Sequence, residues 1–295
     1  MQAISRGFSF LKQSWQMAFA DRDLLKPTIY AMFVGMVVSV IGMIPIIGTA
    51  FLLGDSKIGQ YLLYIEGAVL VFVQYVVTYM FSGMTIYLIY GYLSEGDGRM
   101  DKAWAVVRRD FLDILSLAGA STLVNLLQNA IRGKKGGGIR GALASLINTV
   151  WTEATYLILP AMVVEDIGLK DGLKRATQIV KDNLLLVGVS TVGVGFATGL
   201  IGFLLGGTGI VLGLGVGFGI VQILGSEILG IISAITVGGM IALMFILVAV
   251  VIGNYTTTAY HTCLYLWAME VEKAQGQGLV EGTVAAPGPL GAVLR

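Results

Sequence analysis

Glu153 is an ionisable side chain set in the middle of a long apolar stretch, where a charge is costly, so it is either a functional group or a protonated, hydrogen-bonded structural acid. Near it lie two rows of polar and small residues. Ala118, Ser121, Asn125 and Gln128 follow steps of three, four and three, and Ser145, Asn148, Thr152 and Thr155 follow the same steps. Two antiparallel helices joined by a turn bring together residues whose numbers share a sum. Gln128–Ser145, Asn125–Asn148, Ser121–Thr152 and Ala118–Thr155 all sum to 273, which centres the turn between Gly136 and Gly137. Such rows form either a structural seam, with amides bonding across it, or a wetted polar pathway through a bundle. The sequence leaves both readings open. Other chemistry is scarce. There is one histidine, His261, and one cysteine, Cys263, so a single chain cannot form a disulfide, a Cys/His zinc site or an iron–sulfur cluster. No nucleophile–base pair stands out, and neither an enzyme nor a cofactor is expected.

The elements that position these residues must lie in a membrane. Of 295 residues, 56% are hydrophobic and 13% are charged, where a soluble domain carries roughly 25% charge. No Asp, Glu, Lys or Arg falls between Lys26 and Asp55, Glu66 and Glu95, Asp182 and Glu227, or Glu227 and Glu270. Each gap exceeds the ~20 apolar residues that cross hydrocarbon. A soluble enzyme and a disordered chain are excluded, and a net charge of +1 gives no field for nucleic acid. A transmembrane β-barrel would show short alternating segments instead. The expected fold is an all-α polytopic transmembrane helix bundle of about six spans, with an N-terminal interfacial amphipathic helix (1–26) and a glycine-rich re-entrant or outer segment. The spans are placed at about 28–53, 66–93, 111–131, 141–164, 184–205 and 231–268, with a mobile cytoplasmic tail at 270–295. The first is expected to break near Pro45.

Ile4, Phe8, Leu11, Trp15 and Phe19 recur at helical spacing. They suit either a helix in the headgroup layer or one packed under the bundle. With six crossings and the N-terminus inside, fourteen Lys and Arg fall on inner segments and five on outer ones, which places both termini in the cytoplasm. The basic turn Arg132–Arg140 sits on the wrong side of that count. It would be on the inner side if spans three and four entered as a hairpin without crossing. True crossing is favoured because both segments are long enough.

From Gly188 to Gly239 glycine is dense. Gly195, Gly199, Gly202, Gly206, Gly209, Gly213 and Gly217 form repeats that let backbones touch. The uncharged run from Asn183 to Ser226 is too long for one span and too short for two. One crossing to about Leu205 is expected, followed by a segment over Gly206–Gly230 that dips back from the outer face. Helix packing within or between subunits, a pore element and a seventh crossing remain alternatives. Gly136–Gly141 matches a nucleotide-loop pattern but lacks the strand–helix context it needs.

Trp151, Thr155-Tyr156, Pro160, Val163-Val164-Glu165, Gly168 and Leu173-Lys174-Arg175-Ala176 resemble the signature of an uncharacterised prokaryotic six-helix membrane family, a domain of unknown function. That family is distantly similar to the membrane region fused to some glycerophosphodiester phosphodiesterases. Ile4–Gly7, Ser14-Trp15, Asp23–Leu25 and Pro27 look like its start, and Leu264-Tyr265 with Ala268 like its end. The resemblance implies an architecture in the cytoplasmic membrane of a prokaryote and no activity. Pro160 is expected to break span four as it leaves the membrane. Asp171 then caps a surface helix whose Leu173, Ala176, Ile179 and Val180 face the bundle. Lys174 and Arg175, with Arg108 and Arg109, are expected at anionic headgroups.

Two functions fit. The first is a non-enzymatic oligomeric assembly or scaffold protein, with membrane lipids and further copies of itself as partners and no nucleic acid. The second is a channel or transporter-like protein whose path follows Ser121, Asn125, Gln128, Ser145, Asn148, Thr152 and Glu153, or the Gly206–Gly230 segment.

Overall fold

The computed structural model describes residues 2–133, 138–182, 184–225, 227–277 and 284–291. In hydrocarbon a backbone segment must satisfy its own donors and acceptors, and a helix does so within one run of chain. Among the described residues there are helices and no strands. They are α1 (Gln2–Ala20), α2 (Lys26–Leu53), α3 (Lys57–Glu95), α4 (Met100–Arg109), α5 (Phe111–Arg132), α6 (Ile139–Glu165), α7 (Leu169–Asp182), α8 (Leu184–Leu224) and α9 (Ile228–Gly276). Among the described residues six segments are long and apolar enough to cross a membrane: Arg22–Leu53, Lys57–Glu95, Phe111–Arg132, Ile139–Glu165, Gly193–Leu224 and Ile228–Gly276.

The chain divides into two compact units, one of Met1–Gln16, Leu185–Tyr260 and Gly288–Arg295, the other of Met17–Leu184 and His261–Pro287. In the larger unit α2 and α3 form an antiparallel hairpin. Ser56 caps α3 by accepting from the Gly59 amide at 2.9 Å. Gln74 ties the two helices by donating to the Gly35 carbonyl at 2.9 Å and to Ser39 at 2.7 Å. Thr49 donates to Glu66 at 2.8 Å. The core gathers Leu88 and Ile89 of α3, Val107 of α4, Leu117 of α5, Ile158 of α6 and Tyr265 of α9, all buried. Away from that core the apolar side chains turn outward. Phe33, Val40, Ile44, Leu123, Leu146 and Val150 are exposed, as suits surfaces covered by lipid.

In the smaller unit α8 and α9 run antiparallel with their backbones almost touching. A Cβ added at Gly213 would collide with the Gly238 carbonyl, one at Gly217 would lie 3.2 Å from the Ala234 carbonyl, and one at Gly209 3.2 Å from that of Ala242. All three pairs share the sum 451, which puts the turn at Gly225, where φ is +83°. A left-handed residue of this kind is best filled by glycine. The first turns of α1 belong to the same unit. Phe10 meets Tyr260 edge-on at 5.4 Å, the Trp15 indole donates to Thr256 at 3.1 Å, and Tyr255 donates to the Ser14 carbonyl at 3.3 Å.

Several expectations are corrected. The chain does not dip back over residues 206–224, because α8 continues unbroken to Leu224. Leaving the helix in hydrocarbon strands several donors and acceptors, each costly, whereas glycine costs a helix only about 1 kcal/mol per residue. Pro45 does not break α2, and Pro160 lies buried inside α6, which runs on to Glu165. Each proline removes one hydrogen bond, and the rest of the helix still satisfies itself. The tail does not begin at 270. α9 extends to Gly276, and Pro289 and Leu290 are buried in a short 3-10 turn. On α1 the buried positions among those described are Gly7, Phe10, Ser14, Met17 and Ala18, while Phe8 and Phe19 of the expected face are exposed. The expected turn centre at Gly136–Gly137 lies outside the described residues.

Candidate functional site

Three polar clusters occupy the larger unit. The first joins α3, α5 and α6. Ser121 is fully buried; its hydroxyl shares a 2.7 Å hydrogen bond with that of Tyr79 and accepts from the Trp151 indole at 2.9 Å. One small hydroxyl thus satisfies two large aromatic side chains, which would otherwise strand a donor in the core.

The second cluster holds Glu153. One carboxylate oxygen lies 3.3 Å from Nε2 of His261, and the imidazole stacks on the Tyr156 ring with centroids 4.5 Å apart and planes 14° apart. His261 is buried, whereas the Glu153 side chain is 41% exposed. A buried imidazole thus meets an acid that still reaches the surroundings, an arrangement able to hold or pass a proton.

The third cluster closes the end of the bundle. Arg175 of α7 donates to Glu165 of α6 at 3.0 Å and to Glu272 of α9 at 2.7 Å. Tyr265 also donates to Glu165. Bonding to Glu272, and then to Tyr265 and Glu165, outweighs burial and pushes the Arg175 pKa above the usual arginine range, so the guanidinium stays charged. The cluster is structural: it fixes the angle at which the amphipathic α7 leaves α6.

The expected seam is not assembled as drawn. Asn148 and Ser145 are exposed and Asn125 is half-buried. Asn125 accepts from Asn129 on its own helix at 3.1 Å, and among the described residues no hydrogen bond joins it to Asn148. Ser121 meets Trp151 rather than Thr152, whose carbonyl accepts from Thr155. Gln128 is buried on α5. The helices are antiparallel neighbours, but α6 is rotated so that Ala144 and Thr155 turn inward and Ser145, Asn148 and Thr149 turn out. Asn125, Thr149 and Thr152 are the partners that local spacing suggests for Glu153, and the partner found is His261.

The glycine row divides. Gly209, Gly213 and Gly217 are filled by α9, while a Cβ at Gly195, Gly199, Gly202 or Gly206 would meet nothing within 4 Å. The expected headgroup cations divide as well. Arg175 is held in its cluster, and Arg109 binds Asp110 at 2.6 Å and Asp166 at 3.1 Å. Arg108 stacks 5.1 Å from the Trp104 ring centre. Lys174 is exposed and lines a surface groove of about 500 Å³ with Lys170 and Lys181. Leu173 is exposed rather than facing the bundle, as Ala176 and Ile179 do.

His261 and the Glu165–Arg175–Glu272 clamp are not singled out by the sequence reading. A signal existed for both: the only histidine is the natural partner for an acid set in an apolar run, and isolated charges at the ends of apolar runs need each other. Trp151, Tyr156, Glu165, Arg175 and Tyr265, which carry the family resemblance, all sit in these three clusters.

Fold and clusters together define a multi-pass helical membrane protein. Residues 60–275 match the model of a family of unknown function (DUF6159), and the chain belongs to that family. All three clusters lie within the matched residues. No curated protein matches the chain.

Proposed function

We propose that this chain is a non-enzymatic protein of the cytoplasmic membrane of a prokaryote that works by assembling with copies of itself and organising the lipid around it. The carrying observation is a groove of about 640 Å³ along the α8/α9 pair, floored by Gly213, Gly217 and Gly238 and walled by apolar side chains such as Leu214 and Ile235. Beside it, a Cβ at Gly215, Gly219 or Gly239 would meet nothing within 4 Å. In lipid, helices associate by close van der Waals approach rather than by the hydrophobic effect, and an open glycine surface offers that approach. Both termini face the cytoplasm in this reading, in line with the Lys and Arg distribution, and Lys170, Lys174 and Lys181 meet anionic headgroups.

Subunit counting by single-molecule photobleaching in nanodiscs tests the proposal. The wild type is expected as an oligomer. Gly215→Leu with Gly239→Leu, both in open positions, is expected to give folded monomers. A monomeric wild type overturns the reading.

A further inference from the structure

The α5/α6 hairpin is short. The Tyr79–Ser121–Trp151 cluster sets a common level on α3, α5 and α6, which pack side by side. Beyond that level α3 runs from Tyr79 back to Lys57, about 33 Å at 1.5 Å per residue. α5 runs only from Ser121 to Arg132, about 17 Å, and α6 from Trp151 to Ile139, about 18 Å. The ends of α5 and α6 at Arg132 and Ile139 therefore lie about 15 Å short of the start of α3 at Lys57, which is the longer span.

That short hairpin is polar on its outside. Ser145, Asn148 and Thr149 are exposed and Thr152 half-buried, at positions i, i+3, i+4 and i+7, and Glu153 lies one turn beyond Thr149. The Asn148 amide makes no hydrogen bond among the described residues. Exposed Arg132 and Arg140 stand at the adjoining ends of α5 and α6. From Arg140 to Glu153 is about 20 Å along the helix. Leu143, Leu146 and Val150 of α6 are exposed as well, so acyl chains have apolar surface beside the polar row. The Thr149 hydroxyl donates to the Ser145 carbonyl at 3.0 Å, but hydrocarbon cannot satisfy the Asn148 amide; water and headgroups can. Arginines at one end suit a phosphate, and a carboxylate at the other suits a headgroup ammonium.

We propose that the outer flank of α5/α6 is a path along which zwitterionic phospholipids exchange between leaflets. The headgroup slides over Arg140, Asn148 and Thr149 to Glu153 while its chains stay in the bilayer. Because the flank is open to the side, it serves lipid rather than a file of ions. The proposal does not depend on self-assembly.

The full chain, reconstituted into phosphatidylcholine vesicles carrying a tail-labelled fluorescent phosphatidylcholine, is bleached with dithionite. Bleaching is expected to continue past the outer-leaflet pool while an entrapped water-soluble dye is retained. Replacing Ser145, Asn148 and Thr149 together by Leu is expected to slow exchange at least about tenfold, which is about 1.4 kcal/mol in barrier, with thermal unfolding and subunit count unchanged. Glu153→Gln is expected to slow labelled phosphatidylcholine more than labelled phosphatidylglycerol, which has no ammonium. Bleaching that stops at the outer leaflet with folded wild type overturns the proposal, as does release of the dye or a triple-leucine variant at wild-type speed. Subunit number, read in the same vesicles, separates failure of exchange from failure of assembly.

Discussion

The α8/α9 and α5/α6 hairpins are both antiparallel helix pairs, yet they are held in opposite ways. In α8/α9 the contact is backbone on backbone, and Gly209, Gly213 and Gly217 meet Ala242, Gly238 and Ala234 in one strict register. In α5/α6 the contact is side chain on side chain. Ser121 reaches Trp151, while Asn125 turns to Asn129 within its own helix. Glycine has no rotamer to choose, so its position alone fixes which face meets the neighbour. An amide on a flexible stem chooses among partners, and the rotation of the helix decides which of them it meets.

The sharpest break of this contrast is Gly213→Leu. A side chain there must displace the Gly238 carbonyl, and backbone cannot yield as a side-chain tip does. A loss of about 3 kcal/mol is expected from overpacking, read as a lower midpoint in thermal unfolding of the detergent-solubilised protein. A small loss would mean the two helices are not in backbone contact. Ser121→Ala comes next. It leaves the Trp151 indole and the Tyr79 hydroxyl without their shared partner, at a cost of about 2 kcal/mol. A blue-shifted tryptophan emission should accompany it, and an unchanged melting curve would remove this cluster from the account of α5/α6. The smallest effect is expected at Asn148→Leu. This side chain faces outward, so stability should stay within about 0.5 kcal/mol of wild type. A large destabilisation, measured by urea titration in mixed micelles, would restore Asn148 to a seam between the helices.

How much was legible follows from the same contrast. Charge-free runs locate the membrane helices well, because length and composition settle spanning without knowledge of partners. Antiparallel pairing of α5 with α6 was also readable, since a short turn leaves little choice. The rotation of α6 was not. Steps of three and four define a helical face, and Ser145–Asn148–Thr152 forms one, but periodicity cannot say whether that face looks in or out. In water a polar face looks outward; in a bilayer both answers occur, and the expected seam takes the inward one. The glycine run misleads for a different reason. By length, the uncharged run Asn183–Ser226 looks too long for one span and too short for two, although hydrocarbon enforces helicity and α8 simply runs on as one long helix. The Glu153–His261 pair spans 108 positions and the Arg175–Glu272 pair 97, and no local pattern reports a contact at that range.

The Arg175 clamp has a consequence for how the molecule comes into being. Its two acids arrive at very different moments. Glu165 is synthesised before the arginine, but Glu272 follows it by 97 positions, roughly 5–20 s later at ribosomal speeds. During that interval the guanidinium has only half its eventual company, and α7 is hinged rather than bolted. The last helix therefore completes the earlier ones as it emerges, and a ribosome that stalls before Glu272 should leave a nascent chain whose α7 remains open to proteases.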